Sequence, residues 1–463
     1  MKHYDIGIIG GGISGIMCAY ELVKHKPDLE ICIFEKGASI LNRRCPLNEN
    51  QSEKCLKCPT CAIMEGFGGC GSFSDGKYNF TTEFGGWLNE YISNEEVMVL
   101  IEYMDKILVE FGATTKRFTT KTPRARELGK IALQNDLHLL QAEVKHLGTE
   151  NNLKIMTNIY NYLKEKLSIR HHTEIRDISV RNSKYILSGL GEEFSCDYLI
   201  SAVGRAGSEW FAEQCKKLKI NLSNNQIDLG VRVELPSEIF SHITDEVYEA
   251  KLHYYTKKYN DLVKTFCMNP RGHVVTENTA GVLTVNGHSY SDESLKSDNT
   301  NFALLVCNKF TSPFNEPLKY GKYIATLSNM LGDGVIVQRF GDLVKGRRTN
   351  EKRMMKSFTT PTLQSANAGD LGLVLPKRHL DNIIEMIYAL DNIARGTANY
   401  DTLLYGVEVK FYSARPELNN RLETACPNFY AIGDGAGITR SLSQAAASGI
   451  YTARNILEKL SFK

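Results

Sequence analysis

Residues 4–15 read YDIGIIGGGISG, and the architecture of the chain follows from them. YDIGII is a short apolar run of the kind that forms a buried strand. Gly10, Gly11, Gly12 and Gly15 make a turn, and residues 13–25, ISGIMCAYELVKH, read as a helix. Pro27 and Asp28 punctuate the link to a second strand, LEICIF at 29–34, which ends at Glu35. The chain therefore opens on a β-α-β unit. Within it, Gly10-x-Gly12-x-x-Gly15 follows a strand, opens a helix and precedes an acidic residue, Glu35, 20 positions beyond Gly15. That context is the dinucleotide-binding fingerprint. Gly10 permits the tight turn, Gly12 lets backbone approach a pyrophosphate, and Gly15 allows close helix–strand packing. The pyrophosphate is expected on the positive end of the helix, beside Ser14. Glu35, with Lys36 next to it, is expected to accept hydrogen bonds from a ribose and to repel a 2′-phosphate.

A length of 463 residues suggests two or three domains, or one discontinuous domain with insertions. With 42% hydrophobic and 23% charged residues, the composition excludes a disordered chain, a collagen-like repeat and a coiled coil. A net charge of +2 argues against a dedicated nucleic-acid binder. No apolar run approaches the ~18 residues of a membrane span, and MKHYDIGIIGGG lacks a signal-peptide core, so a cytoplasmic protein is expected. In a reducing cytosol the twelve cysteines are not expected to form a disulfide framework, yet five lie between Cys45 and Cys70.

Residues 40–90 are irregular and rich in Cys, Gly, Asn and Ser, as in a segment that lines a site or is tied by a metal. A helix is expected over 94–112 with Asn94 as cap, and another over 151–167. From 172 the period changes to that of strands, the last running into the turn Gly204-Arg205-Ala206-Gly207. Residues 228–400 read as an inserted α+β domain whose clearest helix is 379–394. The end returns to the opening style, with a strand at 428–432, a Gly433-Asp434-Gly435 turn and a small-residue helix over 444–460. The expected architecture is α/β. A discontinuous Rossmann-like domain comprises 1–227, with a Cys-rich insertion at 40–90, and 401–463; the substrate or cap domain is inserted at 228–400.

The second glycine motif points to FAD rather than NAD. The arrangement resembles two-dinucleotide-binding-domain flavoproteins, in which a Gly-Asp near the C-terminus holds the ribityl chain. By that resemblance Gly433 and Asp434 take this role. The N–H groups opening the next helix then stabilise negative charge at the flavin pyrimidine edge on reduction. No second strand–GxGxxG–helix is present, so NAD(P)H is expected, if used, only as a transient visitor at the flavin. Several longer segments carry a closer resemblance: CLKCPTCA at 55–62, GFGGCGSFSDGK at 66–77, TFCMNPRGHVV at 265–275, LLYGVEVKFYS at 403–413 and GDGAGITRSLSQAAASG at 433–449. Together they resemble the bacterial FAD-dependent dehydrogenases, also called NAD(FAD)-utilising dehydrogenases, in a branch containing a cysteine cluster. The resemblance implies an FAD domain with an inserted second domain, and adds Gly69, Gly71, Ser72, Gly204, Thr439 and Arg440 to the expected cofactor contacts. Family members commonly carry Ala where this chain has Cys70, which is then either a small core residue or a thiol peculiar to this protein.

Cys55, Cys58 and Cys61 follow C-x2-C-x2-C, with Cys45 ten residues earlier. Four thiolates so spaced suit a structural zinc or a [4Fe-4S] cluster, and a metal-free dithiol is the third reading. With a flavin carrying hydride transfer at N5, the candidate catalytic side chains are Cys70, Lys77, His273 and Arg347. Arg347 and Arg348 suggest an anion clamp or a solvated face; His273 suggests a proton donor or a structural histidine. Arg271, Tyr405, Glu408 and Lys410 also stand in the second domain. The expected function is an FAD-dependent oxidoreductase acting on a small organic molecule. Two alternatives stay open. Basic stretches at 116–126 and 347–356 suit a flavoprotein acting on RNA, and the cysteines suit an electron-transfer protein with a redox partner.

Overall fold

A computed structural model describes residues 1–461 apart from 47, 48, 50, 52–55, 57, 120, 141, 280, 291, 312 and 315. The chain divides into two units. One comprises Met1–Lys116, Lys145–Asn225 and Tyr412–Lys463; the other comprises Arg117–Val144 and Gln226–Phe411.

The first unit is built on the opening strand Lys2–Ile9, whose last four residues are all buried. Continuous burial of that kind requires cover on both faces, as in parallel sheets. The strand pairs in parallel with Ile31–Phe34 on one side and Glu193–Ser201 on the other. Ser168–Arg170 extends the sheet beyond Ile31–Phe34, again in parallel. The far side of Glu193–Ser201 is shared. Its first part pairs antiparallel with Lys184–Ser188, and Leu199–Ser201 pair in parallel with Phe429–Ala431. Five parallel strand ends therefore open in one direction, and four of them lead into the turns of interest: Gly10 after the first, Glu35 after the second, Gly204 after Glu193–Ser201 and Gly433 after Phe429–Ala431. This is a Rossmann-like domain, in which ligands bind at the carboxyl ends of the strands. The helices Ile13–His25 and Leu442–Ser461 lie against each other so closely that a Cβ on Gly449 would sit 2.1 Å from the Ser14 carbonyl oxygen.

The second unit centres on Ile227–Pro236, IDLGVRVELP. Ile227, Leu229, Val231, Val233 and Leu235 alternate with Asp228, Arg232 and Glu234, and all are buried. The apolar set joins the core with Phe240, Phe302, Met386 and Leu390. This strand pairs antiparallel with Asn299–Asn308 and with Leu403–Phe411, with a register shift at Gly230/Val231. It lies inside an eight-stranded sheet that also includes Leu137–Leu140.

Several boundaries differ from expectation. Arg117–Val144, read from sequence as part of the first domain, joins the second unit because Leu137–Leu140 pairs with Lys251–Tyr255. The return to the first unit comes at Tyr412 rather than 401, because Leu403–Phe411 is bonded into the second unit's sheet. The helix expected over 94–112 is Asn94–Glu110. Its cap is Ser93, not Asn94, and the Ser93 side chain accepts from the Glu96 N–H. The helices expected at 151–167, 379–394 and 444–460 are Thr149–Lys164, Lys377–Asp391 and Leu442–Ser461.

Candidate dinucleotide site

In the first unit, the turn after Lys2–Ile9 is forced by close packing. Gly10 has φ +106, and a Cβ there would meet the Ala202 carbonyl oxygen at 2.6 Å; one on Gly15 would meet the Gly10 carbonyl oxygen at 2.3 Å. Gly12 differs. It is the extended N-cap of the helix Ile13–His25, makes no side-chain cap, and a Cβ on it would touch nothing within 4 Å. The first N–H groups of a helix have no partner within it, and they carry its positive end. Open space beside such a terminus suits an anionic group.

Two further glycine segments close on this turn. The Gly68 N–H donates to the Gly11 carbonyl oxygen at 2.7 Å, and a Cβ on Gly69 would lie 3.2 Å from Gly12 Cα. Gly433 has φ +73, and a Cβ there would fall 2.5 Å from Ser14 Oγ. A Cβ on Gly71 would lie 2.7 Å from the Leu442 side chain, at the start of the C-terminal helix. Residue Ser443 of that helix has a fully buried hydroxyl without a hydrogen-bond partner. A glycine-lined cradle, a bare helix terminus and an orphaned buried hydroxyl are the features expected of an extended dinucleotide site.

The charged groups complete it. Asp434 Oδ1 accepts from Thr439 Oγ1 at 2.8 Å. Burial raises the Asp434 carboxyl above its ordinary range, an effect tempered by Arg440, Arg205 and Thr439. Arg440 stacks over Tyr412 at 3.7 Å and donates its N–H to the Gly85 carbonyl. Gly204 is the extended residue before the short turn Arg205–Gly207. Cys70 Sγ lies 3.9 Å from Arg205 Nη2.

Sequence reading missed Arg43. It is buried, and its guanidinium donates to the carbonyls of Ala62, Ile63, Phe67 and Gly69 and to Ser72 Oγ, at 2.7–2.9 Å. Burial lowers it to about 10, against the pull of Glu35, Cys70, Cys61 and Glu65. One cation thus gathers the glycine loop at 66–72. Asn152, equally unforeseen, holds the other side of that loop by donating to the Gly71 carbonyl at 2.7 Å. Arginine is usually exposed, and no local signal in the irregular stretch marks Arg43 as buried.

Other expected residues turn out to be engaged differently. Glu35, 6% exposed, accepts three backbone N–H bonds: Gly11 to Oε2 at 2.7 Å, and Gly37 and Gly66 to Oε1 at 2.8 and 3.0 Å. It ties three loops together, a role additional to the ribose contact expected of it. Lys36 pairs with Glu65 and Glu174. Lys77 pairs with Asp75 at 3.1 Å. In the second unit, His273 is bonded to the Leu295 carbonyl at 2.9 Å. Arg347 is not a free anion clamp, for it is bonded to Asp342 at 2.7 Å and to the Tyr400 hydroxyl. Glu408 pairs with fully buried Arg232 at 3.1 Å and with Lys410 at 2.8 Å, while Tyr405 donates to Glu234.

The expected four-thiolate site is not formed among the described residues. Cys55 lies outside the described residues, and Cys45, Cys58 and Cys61 do not converge as a ligand group. Among the described residues, His3, Asp5 and Asp197 do converge, but the Lys184 ammonium already lies 3.3 Å from Asp197 and 3.2 Å from His3.

Residues 226–411 match the family model described as "FAD-dependent protein, C-terminal domain-like", and residues 8–41 match "NAD(P)-binding Rossmann-like domain". A stretch of 35 residues is 49% identical to mitochondrial L-2-hydroxyglutarate dehydrogenase of Nematostella vectensis, spanning 8% of this chain and 8% of that relative's length. Among solved structures, the chain is similar to glycine oxidase from Geobacillus kaustophilus (TM-score 0.41, 12% identity, 100% of this chain and 96% of that one). It is also similar to L-proline dehydrogenase from P. horikoshii (TM-score 0.43, 13% identity, 99% and 94%).

Proposed function

We propose that this chain binds FAD and acts as an oxidoreductase of the dehydrogenase or reductase type on a small organic substrate. The observation that carries this reading is the open, uncapped helix terminus at Gly12, enclosed by the glycine segments at 68–71 and 433. The family match over residues 226–411, to a model described as FAD-dependent, supports FAD as the dinucleotide. When bound, FAD supplies hydride transfer at its N5 position.

The chain's own residues bind and orient. The N–H groups after Gly12 meet the pyrophosphate, and Gly69 leaves room for it. Glu35 Oε2, which accepts one bond from Gly11, keeps a lone pair for a ribose hydroxyl. Asp434 meets the ribityl chain, held at one oxygen by Thr439. Ser443 offers its hydroxyl to the ring. Cys70 stands next to a cationic neighbour, Arg205, on the loop that Arg43 organises, which makes it the first side chain to test for contact with the substrate. A nicotinamide donor, lacking a second glycine motif of its own, would reach the flavin directly. No helix among the described residues is long and apolar enough to cross a membrane.

The decisive experiment is purification followed by absorbance spectroscopy and denaturing release of the cofactor. Stoichiometric FAD that bleaches anaerobically with a 2-hydroxy acid, an amino acid or NAD(P)H supports the proposal. A colourless protein that cannot be reconstituted with FAD overturns it.

A further inference from the structure

A short turn in the second unit holds large apolar side chains outward among cations. Over residues 343–358, LVKGRRTNEKRMMKSF, Phe358 is 92% exposed and Met355 80% exposed. The stretch also carries Lys345, Arg348, Lys352, Arg353 and Lys356 against a single carboxylate, Glu351. Arg347 is already answered by buried Asp342. Among the described residues neither Lys352 nor Lys356 makes an ion pair.

The turn is anchored. Thr349 is buried; its N–H donates to the Gly369 carbonyl at 3.0 Å and its hydroxyl to Asp342 at 2.8 Å. The Asn350 side chain caps the Arg353 N–H at 3.0 Å. Met354, between the two exposed groups and that cap, packs against the cluster containing Val274, Val337 and Tyr405. The Phe358 N–H donates to Asp401 at 3.3 Å, and Thr359 is buried again. Of the large apolar side chains in the stretch, Met355 and Phe358 are turned out furthest, ahead of Val344 at 44%. Scattered exposed apolar residues are ordinary. Two large ones three positions apart, on an anchored turn whose remaining charges are nearly all positive, form a coherent surface.

We propose that this turn docks the protein onto an anionic lipid surface, Met355 and Phe358 entering the acyl boundary and the surrounding lysines and arginines meeting headgroup phosphates. Protruding apolar groups beside basic side chains lie in a bilayer interface, and juxtamembrane cations add attraction to anionic lipid. Long cationic side chains can keep their charge at headgroup level while their stems follow the apolar groups inward. An RNA partner would use the cations, but a methionine offers it no stacking face. The proposal concerns surface attachment and is independent of the flavin.

The test is co-sedimentation of the full chain with vesicles of phosphatidylcholine alone or with about 30% phosphatidylglycerol. The expected result is binding only to the anionic vesicles, weakened several-fold at about 0.5 M salt. Phe358→Ser combined with Met355→Ser should reduce it on the order of ten-fold or more, as should Lys352→Glu combined with Lys356→Glu. Phe358→Trp should add emission that shifts to the blue on adding anionic vesicles, a readout independent of whether the serine variants fold. Equal binding by wild type and the serine variant, no blue shift, or a Phe358-dependent dimer in lipid-free light scattering would each overturn the proposal. So would salt-sensitive binding of a single-stranded RNA that the lysine variants lose, with no vesicle binding.

Discussion

Glu35→Ala separates two roles for one carboxylate. In the folded chain three buried backbone N–H groups, from Gly11, Gly37 and Gly66, point at its oxygens at 2.7–3.0 Å. Removing the acceptor strands all three. A buried donor left unsatisfied costs about 1–3 kcal/mol, and the released desolvation cost of the carboxylate returns part of the total. The expected net loss is about 3 kcal/mol. For a unit of this size, each kcal/mol moves the midpoint by roughly 2–4 °C, so flavin-free protein should melt about 6–12 °C lower. Glu35→Gln keeps one acceptor oxygen but turns an amide NH2 toward a neighbour that needs an acceptor, and should lose about 1–2 kcal/mol. The assay is thermal melting of flavin-stripped wild type and both variants, with FAD affinity measured separately by fluorescence titration. If stripped Glu35→Ala melts within about 2 °C of wild type while FAD affinity collapses, Glu35 faces only the ribose, and the three-loop tie is refuted.

Gly12→Ala and Gly15→Ala should behave oppositely. The first adds a Cβ into open space and should leave the flavin-free melt unchanged while FAD retention falls. The second drives a Cβ to 2.3 Å from the Gly10 carbonyl oxygen and should yield little folded protein; circular dichroism and bound-flavin absorbance distinguish the two. Asp434 has a raised carboxyl pKa in the folded chain, chiefly through burial. Its contribution to stability is therefore fully present below its unfolded pKa and is lost as pH rises through the folded value. Asp434→Asn should accordingly raise the denaturant midpoint of flavin-free protein near neutrality while weakening FAD retention, and a lowered midpoint would count against this account. For Asp342, burial pushes the carboxyl up, but hydrogen bonds from Tyr400, Arg347, Thr349 and Arg339 outweigh that and hold it at about 2. The stability it contributes is present above its unfolded pKa, near 3.8, and is lost as pH falls toward about 2. Asp342→Asn should flatten this part of the acid-unfolding curve, measured by denaturant midpoints across that window.

Local chemistry made the opening of the chain legible. A strand, a glycine turn and a helix each announce themselves within a few residues, because burial on both faces, positive φ and helical spacing are properties of adjacent positions. The same holds for the C-terminal strand, Gly433-Asp434 and the helix behind them. The strand Ile227–Pro236 was not read out, and the expected boundary at 227/228 cuts it; its apolar residues alternate strictly, but its charges became meaningful only once Glu408 arrived from a strand some 170 positions later to meet Arg232.

The Rossmann-like beginning and end are written in local sequence, and with them the positions of the glycines that leave room for a dinucleotide. What the charged side chains do depends on partners that folding brings together. Glu35 became a tie between loops, Arg43 the buried centre of the glycine loop, and Arg347 the partner of an interior aspartate. Tertiary pairing also decided that residues 117–144 and 403–411 belong to the second unit. The reason is physical. Turn and helix formation depend on neighbours in the chain, whereas a buried charge or a strand at a sheet edge is stable only beside a partner whose distance along the chain nothing local encodes.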